Sequence, residues 1–230
     1  MIFVNAVKGI SALQLGRDLN VQYKTAYVLA HKLCEAMAAE MRGVVLGGEG
    51  ADVEVDGCYV GGHVRPENEK KDRKDRRLAE NQTSKRQVVV VARERGGKTL
   101  TMVLKSEEEG AAFIKGRVDH ASTLHADEAA GWNSLARFNM KRINHQQAYS
   151  SDEACTNQAE SYFARLRRAE WGQHHRISGK YLTRYAAEMA WREDHRRDSN
   201  GDQFRAMGFR AAALPPSVDW SGYWQRSKAA

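Results

Sequence analysis

Two apolar, β-branched runs set back to back, RQVVVVARERGGKTLTMVLK at residues 86–105, constrain the fold of this chain more than any other stretch. Joined through Arg95, Gly96 and Gly97, they read as a hairpin of two strands. A further strand, DVEVDGCYV, precedes them and ends at Gly61-Gly62. After the hairpin the period changes. SEEEGAAFIKGRV has a Ser N-cap, acids in its first turn and an apolar stripe, which predicts a helix. STLHADEAAGW reads as a short strand running into a helix, and KRINHQQAY as a further strand. Two long helices, over about 155–170 and 179–197, follow. Three strands, then helix, strand, helix, strand and helices, make a mixed α/β sheet flanked by helices.

Ahead of the sheet, KGISALQLGRDLNVQYKTAYVLAHKLCEAMAAEM reads as two helices with a turn at LNVQY. Leu13, Leu15 and Leu19 give the first an apolar side. Ala26, Leu29, Ala30, Leu33 and Met37 recur at helical spacing in the second. This is a helix-turn-helix pattern, in which Gln22, Lys24 and Thr25 would meet DNA from the first turn of the second helix. An ordinary αα-hairpin has the same periodicity. RGVVLGGEGA, around residues 42–51, is a plausible linker. The expected organisation is a small helix-turn-helix-like DNA-binding segment over 1–45, a catalytic α/β domain over 50–200 and a tail over 201–230. The tail lacks a clear core-forming pattern, although Trp220, Tyr223 and Trp224 can pack locally.

With 230 residues, 42% of them apolar and 28% charged, the chain can bury a sizeable core. It contains no apolar run of the roughly 20 residues that would span a bilayer. Its opening is not that of a secretory signal. Cys34, Cys58 and Cys155 have no paired spacing, so a reduced, cytoplasmic protein without a zinc site is expected. The formal charge of +7 is unevenly spread. Residues 63–86 hold nine Lys and Arg against five acids, and residues 164–197 hold nine against four. Such local excess suits a polyanion, with Arg73 and Lys74 in the first stretch placed for backbone phosphates. A solvated, mixed-charge surface is the alternative.

Two acids stand where an α/β fold puts chemistry. Asp56 lies inside the strand VEVDGCYV, on the face opposite Val53 and Val55. Asp127 ends the strand TLHAD at a junction where ligands bind, although a helix-capping role is open to it. Farther on, CTNQAESYFARLRRAEWGQHH has helical period, with Asn157, Glu160, Ala164, Arg167 and Trp171 on one stripe beside an apolar face. Docked on the sheet by that face, the helix would leave Glu160 and Asn157 at the sheet's edge. There they could join Asp56 and Asp127 in holding Mg²⁺ or Mn²⁺, with Arg167 against a phosphate. A salt bridge on a basic helix is the competing reading of Glu160. His125 is expected to be a buried structural imidazole and Trp132 a core residue.

The segments VEVDGCYVGG, LHADEAAGW, TNQAESYFARLRRAEWGQHHRIS and KYLTRYAAEMAWRE, with the helix-turn-helix stretch, resemble in order the insertion-sequence transposases of the DDE superfamily, ISXO-like branch. The resemblance covers most of residues 9–193. It implies a ribonuclease-H-like catalytic fold and metal-dependent DNA cleavage followed by 3′-hydroxyl strand transfer. It also implies two Mg²⁺ or Mn²⁺ ions, element ends and target DNA as partners, and a homo-oligomer that brings two ends together. By motif, Asp56 and Asp127 take the first two acidic positions. Glu160 takes the third, with Asn157 as a nearby ligand. Arg167 stands at the basic position that follows, and Arg168, His174 and His175 are candidate DNA contacts, with polar packing at the helix end as the alternative for the two histidines. Two departures are visible. The chain starts beyond the zinc-ribbon-like segment that members carry, and Gly57 stands where a second acid commonly follows the first. A truncated, DNA-binding remnant and a ribonuclease-H-like nuclease without strand transfer are the alternatives.

Overall fold

The computed structural model describes residues 1–61, 67–74, 81, 86–143 and 155–226. Its centre is a sheet of order β3-β2-β1-β4-β5, built from β1 (Asp52–Gly61), β2 (Arg86–Glu94), β3 (Thr99–Leu104), β4 (Thr123–Asp127) and β5 (Asn139–Ile143). β1, β2 and β3 pair antiparallel, while β4 and β5 add in parallel on the other side of β1. This mixed order with flanking helices is a ribonuclease-H-like α/β arrangement. The expected hairpin forms across Arg95–Gly97, where Gly97 N–H donates to the Glu94 carbonyl.

Alternation along the strands sorts the core into two layers. Val53, Val55, Val88, Val90, Leu124 and Ala126 pack with Ala111, Phe113 and Ile114 of α4 (Glu107–Arg117) and with Trp132. Cys58, Val60, Val89 and Val91 pack on the other face, against α5 (Asn157–Ala169) and α6 (Gly179–Asp194). β2 is covered on both faces, which is why it reads as an unbroken valine run instead of alternating. Ser106 caps α4 by accepting from the Glu109 N–H, as its position before three glutamates predicts.

The N-terminal helices are not a separate body. α1 (Ile2–Asn5), α2 (Ala12–Asp18) and α3 (Tyr23–Ala39) bury Phe3, Leu15, Ala26, Cys34 and Met37 against Trp191 of α6 and Met207 of α7 (Asn200–Ala213). α2 and α3 are joined by a tight turn, as both a helix-turn-helix and an αα-hairpin require. Val21 N–H closes the turn on the Gly16 carbonyl, Asn20 is left-handed at φ 53, and Ser11 caps α2 by accepting from Gln14 N–H. A side chain at position 16 would press on the Val21 carbonyl at 3.2 Å.

Four expectations need correcting. Leu13, Leu19 and Leu29 are exposed; of the expected apolar residues Leu15, Ala26 and Met37 are buried, and Gly16 brings α2 against Ala26. The helix expected after Asp127 is a 3₁₀ stretch, Ala130–Leu135, drawn tight by the bonds Asp127 makes there. The strand at KRINHQQAY begins earlier, at Asn139, and residues 144–149 of it lie outside the described residues. The last thirty residues hold α7 and the short α8 (Tyr223–Arg226), and Trp220 is buried with its ring stacked on His31 at 4.2 Å. Cys34, Cys58 and Cys155 are free thiols, and no helix among the described residues is long and apolar enough to cross a membrane.

Candidate active site

β1 and β4 run parallel, with Val55 paired to Ala126 at the end of their register. Asp56 and Asp127 are the next residues on each strand. Since Val55 and Ala126 both face the α4 layer, alternation turns both acids to the opposite face, toward α5. Two carboxylates thus leave neighbouring strands on the same side.

Asp127 is held from behind. Its Oδ1 accepts from the Ala129 N–H at 3.1 Å and from the Trp132 Nε1–H at 2.9 Å. Asp127 does not cap the 3₁₀ stretch, whose N-cap is Ala129; it closes a turn onto that residue, and one carboxylate oxygen already has fixed partners. Trp132 is a core residue that also aims this acid.

Asp56 is half-buried, and burial pushes its carboxyl up to about 7, with Asp127, Glu107 and Glu160 each adding negative charge nearby. Its Oδ1 accepts from the Gly57 N–H at 2.7 Å, which pulls the other way. Glu107, the first residue of α4, is raised by burial and then by Asp127. Its side chain lies over two glycines. A Cβ on Gly57 would meet Glu107 Cγ and Oε1 at 2.8 Å, and one on Gly131 would meet Glu107 Cβ at 2.9 Å. The lack of a side chain at position 57 therefore leaves room for an acid arriving from elsewhere in the chain.

The helix bearing Glu160 is fixed by residues that sequence patterning leaves out. Glu54, fully buried two residues before Asp56 and on the same face, accepts from the Gln158 N–H at 2.7 Å and the Ala159 N–H at 3.0 Å. It caps α5 from β1 and satisfies donors that the first turn cannot pair internally. Arg95 balances its charge through Nε at 2.8 Å and also donates to the Cys155 carbonyl at 3.0 Å. Arg93 holds the Gln158 side chain at 3.1 Å. Only the acid in a strand is visible as a signal for Glu54; its partners on α5 lie 104 and 105 residues away.

Glu160 and Asn157 are exposed on the first turn of α5. Arg167, two turns on, donates to the Cys58 Sγ at 3.1 Å, which sets its guanidinium beside the strand face that carries Asp56. Arg168 is exposed on the same helix. His175 is exposed in a left-handed conformation at the end of a π-helical turn, Glu170–His174. His174 departs from the DNA-contact expectation. Its ring packs 4.5 Å from Tyr185, its Nε2 is buried, and burial lowers its basicity. His125 is buried, with Nε2 2.7 Å from Asp52 Oδ1, as a structural imidazole.

The remaining candidates lie elsewhere. Gln22, Lys24 and Thr25 are exposed at the start of α3. Lys24 is partly engaged, since its carbonyl accepts from Trp224 Nε1 at 3.3 Å and its Nζ stands 5.4 Å from that ring. Arg73 spends its guanidinium on the Glu67 and Asn68 carbonyls of its own loop at 3.1 and 3.2 Å, while Lys74 is exposed beside it, as are Lys70 and Lys71. Most of the basic loop around them lies outside the described residues.

Carboxylate oxygens are the donors that hard divalent ions take, and the repulsion from Asp127, Glu107 and Glu160, which adds to burial in raising Asp56, is what a cation between these acids would relieve. Among the described residues no three His, Cys, Asp or Glu side chains are gathered tightly enough to form a metal-holding group. The donor set fits Mg²⁺ or Mn²⁺ in its chemistry, with Asp56 and Asp127 as its core. Residues 45–194, well over half of the chain, match the family described as ISXO2-like transposase domain. No curated protein and no solved structure matches the chain.

Proposed function

The chain belongs to the ISXO2-like transposase domain family, and from that premise we propose that it cuts DNA and joins a freed 3′-hydroxyl to target DNA at a site built on Asp56, Asp127 and Glu160. The observation that carries the proposal is the pair of acids leaving adjacent parallel strands on one face, with α5 clamped over them by Glu54.

In this reading Asp56 and Asp127 hold divalent metal, two ions of Mg²⁺ or Mn²⁺ in the complete site. Glu160 is the third acid and turns in from the first turn of α5, with Asn157 beside it. When bound, such ions supply positive charge at the attacking and leaving oxygens of a phosphodiester. The chain's own residues do the rest. Trp132 and the Ala129 N–H fix the Asp127 carboxylate. Glu54 and Arg93 fix the helix that carries the third acid. Arg167, steadied by Cys58, meets a non-bridging phosphate oxygen. Water displaces the 3′-oxygen from phosphorus in the first step. In the second, that 3′-hydroxyl attacks a target phosphodiester, loses its proton, and releases the target's own 3′-oxygen. No Ser or Tyr nucleophile is needed. Gln22, Lys24, Thr25, Lys74, Arg168 and His175 serve as DNA contacts, and a dimer or larger assembly holds the two element ends.

The test is strand joining. The full chain is incubated with Mn²⁺, supercoiled plasmid and a pool of labelled oligonucleotides ending in a 3′-hydroxyl. Covalent capture of label by the plasmid is the expected result. Nicking without capture would identify a nuclease of the same fold, and DNA binding with neither reaction would identify a binding-only remnant.

A further inference from the structure

The outer face of α5 carries a second feature, on the far side of the ridge from the sheet. A cavity of about 370 Å³ opens there, lined by Lys8, Ser161, Ala164, Arg165, Arg168 and Arg196, among others. Four of these residues are cations, drawn from three distant parts of the chain: the segment before α2, helix α5 and the residues just past α6.

The cavity is built, and its charge is only partly spent. Glu193, its one acid, is buried at 4% exposure. Its carboxylate accepts from Arg165 Nε at 2.8 Å and from Arg196 Nη1, and it lies 3.6 Å from the buried Arg93. Arg165 also reaches the Val7 carbonyl at 3.2 Å. Two guanidiniums are thereby held in place at the wall by one buried carboxylate. Lys8 and Arg168 have no partner among the described residues and sit in the same lining. One negative charge against four positive ones leaves a strong local excess. Fixed guanidiniums beside unpaired cations are the chemistry that recognises phosphate oxygens.

Position on the helix says which phosphates. Glu160, Ala164 and Arg168 follow at intervals of four and form one oblique row along α5, which carries Arg168 roughly 80° around the helix from Glu160. The row climbs about 12 Å, roughly three to four phosphates along a DNA strand. Its middle residue is an alanine, which leaves the ridge low between the acid and the cavity. We infer that this cavity is a backbone-phosphate site for the DNA strand engaged by the acidic centre, the strand crossing α5 over Ala164 and seating its next phosphates against Lys8, Arg168, Arg165 and Arg196. The inference rests on the proposed function. It adds a second anchor, tied to the N-terminal segment, a few phosphates from the reacting one.

The experiment measures binding of a short duplex by the full chain as salt is varied, alongside Mn²⁺-dependent nicking. The Lys8→Gln/Arg168→Gln double variant changes two exposed cations and leaves the Glu193 network intact. Arg42→Gln/Lys115→Gln removes the same charge from exposed positions elsewhere. Each lost phosphate contact should flatten the slope of log K against log salt by about 0.9. The expected result is a slope shallower by nearly two for the cavity variant, weaker binding, and little change for the other pair. Equal losses in both variants, while wild type binds and nicks, would overturn the cavity and leave the catalytic reading standing. A wild type that does not bind DNA would overturn both.

Discussion

At Asp127, one hydrogen bond carries much of the site's order. Trp132 donates to its carboxylate from inside the core, where the indole's bulk and its single donor are both used. Trp132→Phe keeps most of the volume and removes the donor. A hydrogen bond to a charged group contributes about 1.5–3 kcal/mol, so chemical denaturation should show a loss near that range, with slower nicking. An unchanged nicking rate would mean that Asp127 is aimed by its backbone alone. His31 gives a residue-scale prediction of another kind. It lies stacked beneath Trp220, and burial, then the charges of Arg184 and His174, lower its pKa to about 3. Folded protein therefore keeps His31 neutral while unfolded chain takes up a proton below about 6.5. That contribution to stability is whole above about 6.5 and is lost as the pH falls from there toward about 3. Relative to wild type, His31→Phe should gain stability steadily through this window, by up to about 1.4 kcal/mol per pH unit. Parallel pH–stability curves for the two proteins would exclude a neutral buried imidazole.

Among the elements, the docking of α5 on β1 places the proposed third acid, Glu160. Glu54 joins strand to helix through two backbone N–H groups and is balanced by Arg95. Glu54→Ala would leave the Gln158 and Ala159 N–H groups without their acceptor, and Arg95 with Asp52 and the Cys155 carbonyl. Losing a hydrogen bond to a charged group costs about 1.5–3 kcal/mol. Glu54→Gln keeps an acceptor oxygen and should lose less. If Glu54 acts by placing Glu160, Glu54→Gln should raise the Mn²⁺ concentration needed for half-maximal nicking in an otherwise wild-type chain. It should not lower further the residual rate of a Glu160→Gln chain. Additive losses would reduce Glu54 to a stability role. The strands, the α4 cap and the face on which Asp56 stands were legible from period and capping residues, because those signals are local. Glu54's partner was not, since nothing near VEVDG says that a helix N-terminus a hundred residues later will close on it. Glu107 escaped for the same reason: three consecutive glutamates read as helix-start acids, and only the packing over Gly57 separates the first from the others.

For the molecule as a whole, the N-terminal helices and the C-terminal ones share a core. Arg192 donates to the Phe3 and Val4 carbonyls at 2.7 and 2.8 Å and pairs with the buried Glu188, while Trp191 and Met207 pack on α1–α3. Removing residues 1–45 would expose this surface and strip Arg192 of its carbonyl partners. The shortened chain should melt well below the full one or aggregate, and an equally stable fragment would mean that the shared core contributes little. The tail hid its helix for a physical reason. α7 buries Met207 but leaves Phe204 and Phe209 exposed, so no clean apolar stripe marks it.

The most direct measurement is Mn²⁺-dependent nicking of supercoiled plasmid by the full chain, run beside Asp56→Asn, Asp127→Asn, Glu160→Gln and Asn157→Ala, each checked for folding. Nicking by wild type, its loss in the three acid variants and its retention in Asn157→Ala is the result expected of a site built on Asp56, Asp127 and Glu160. Nicking that persists without added metal, or that survives Asp56→Asn or Asp127→Asn in folded protein, would contradict it.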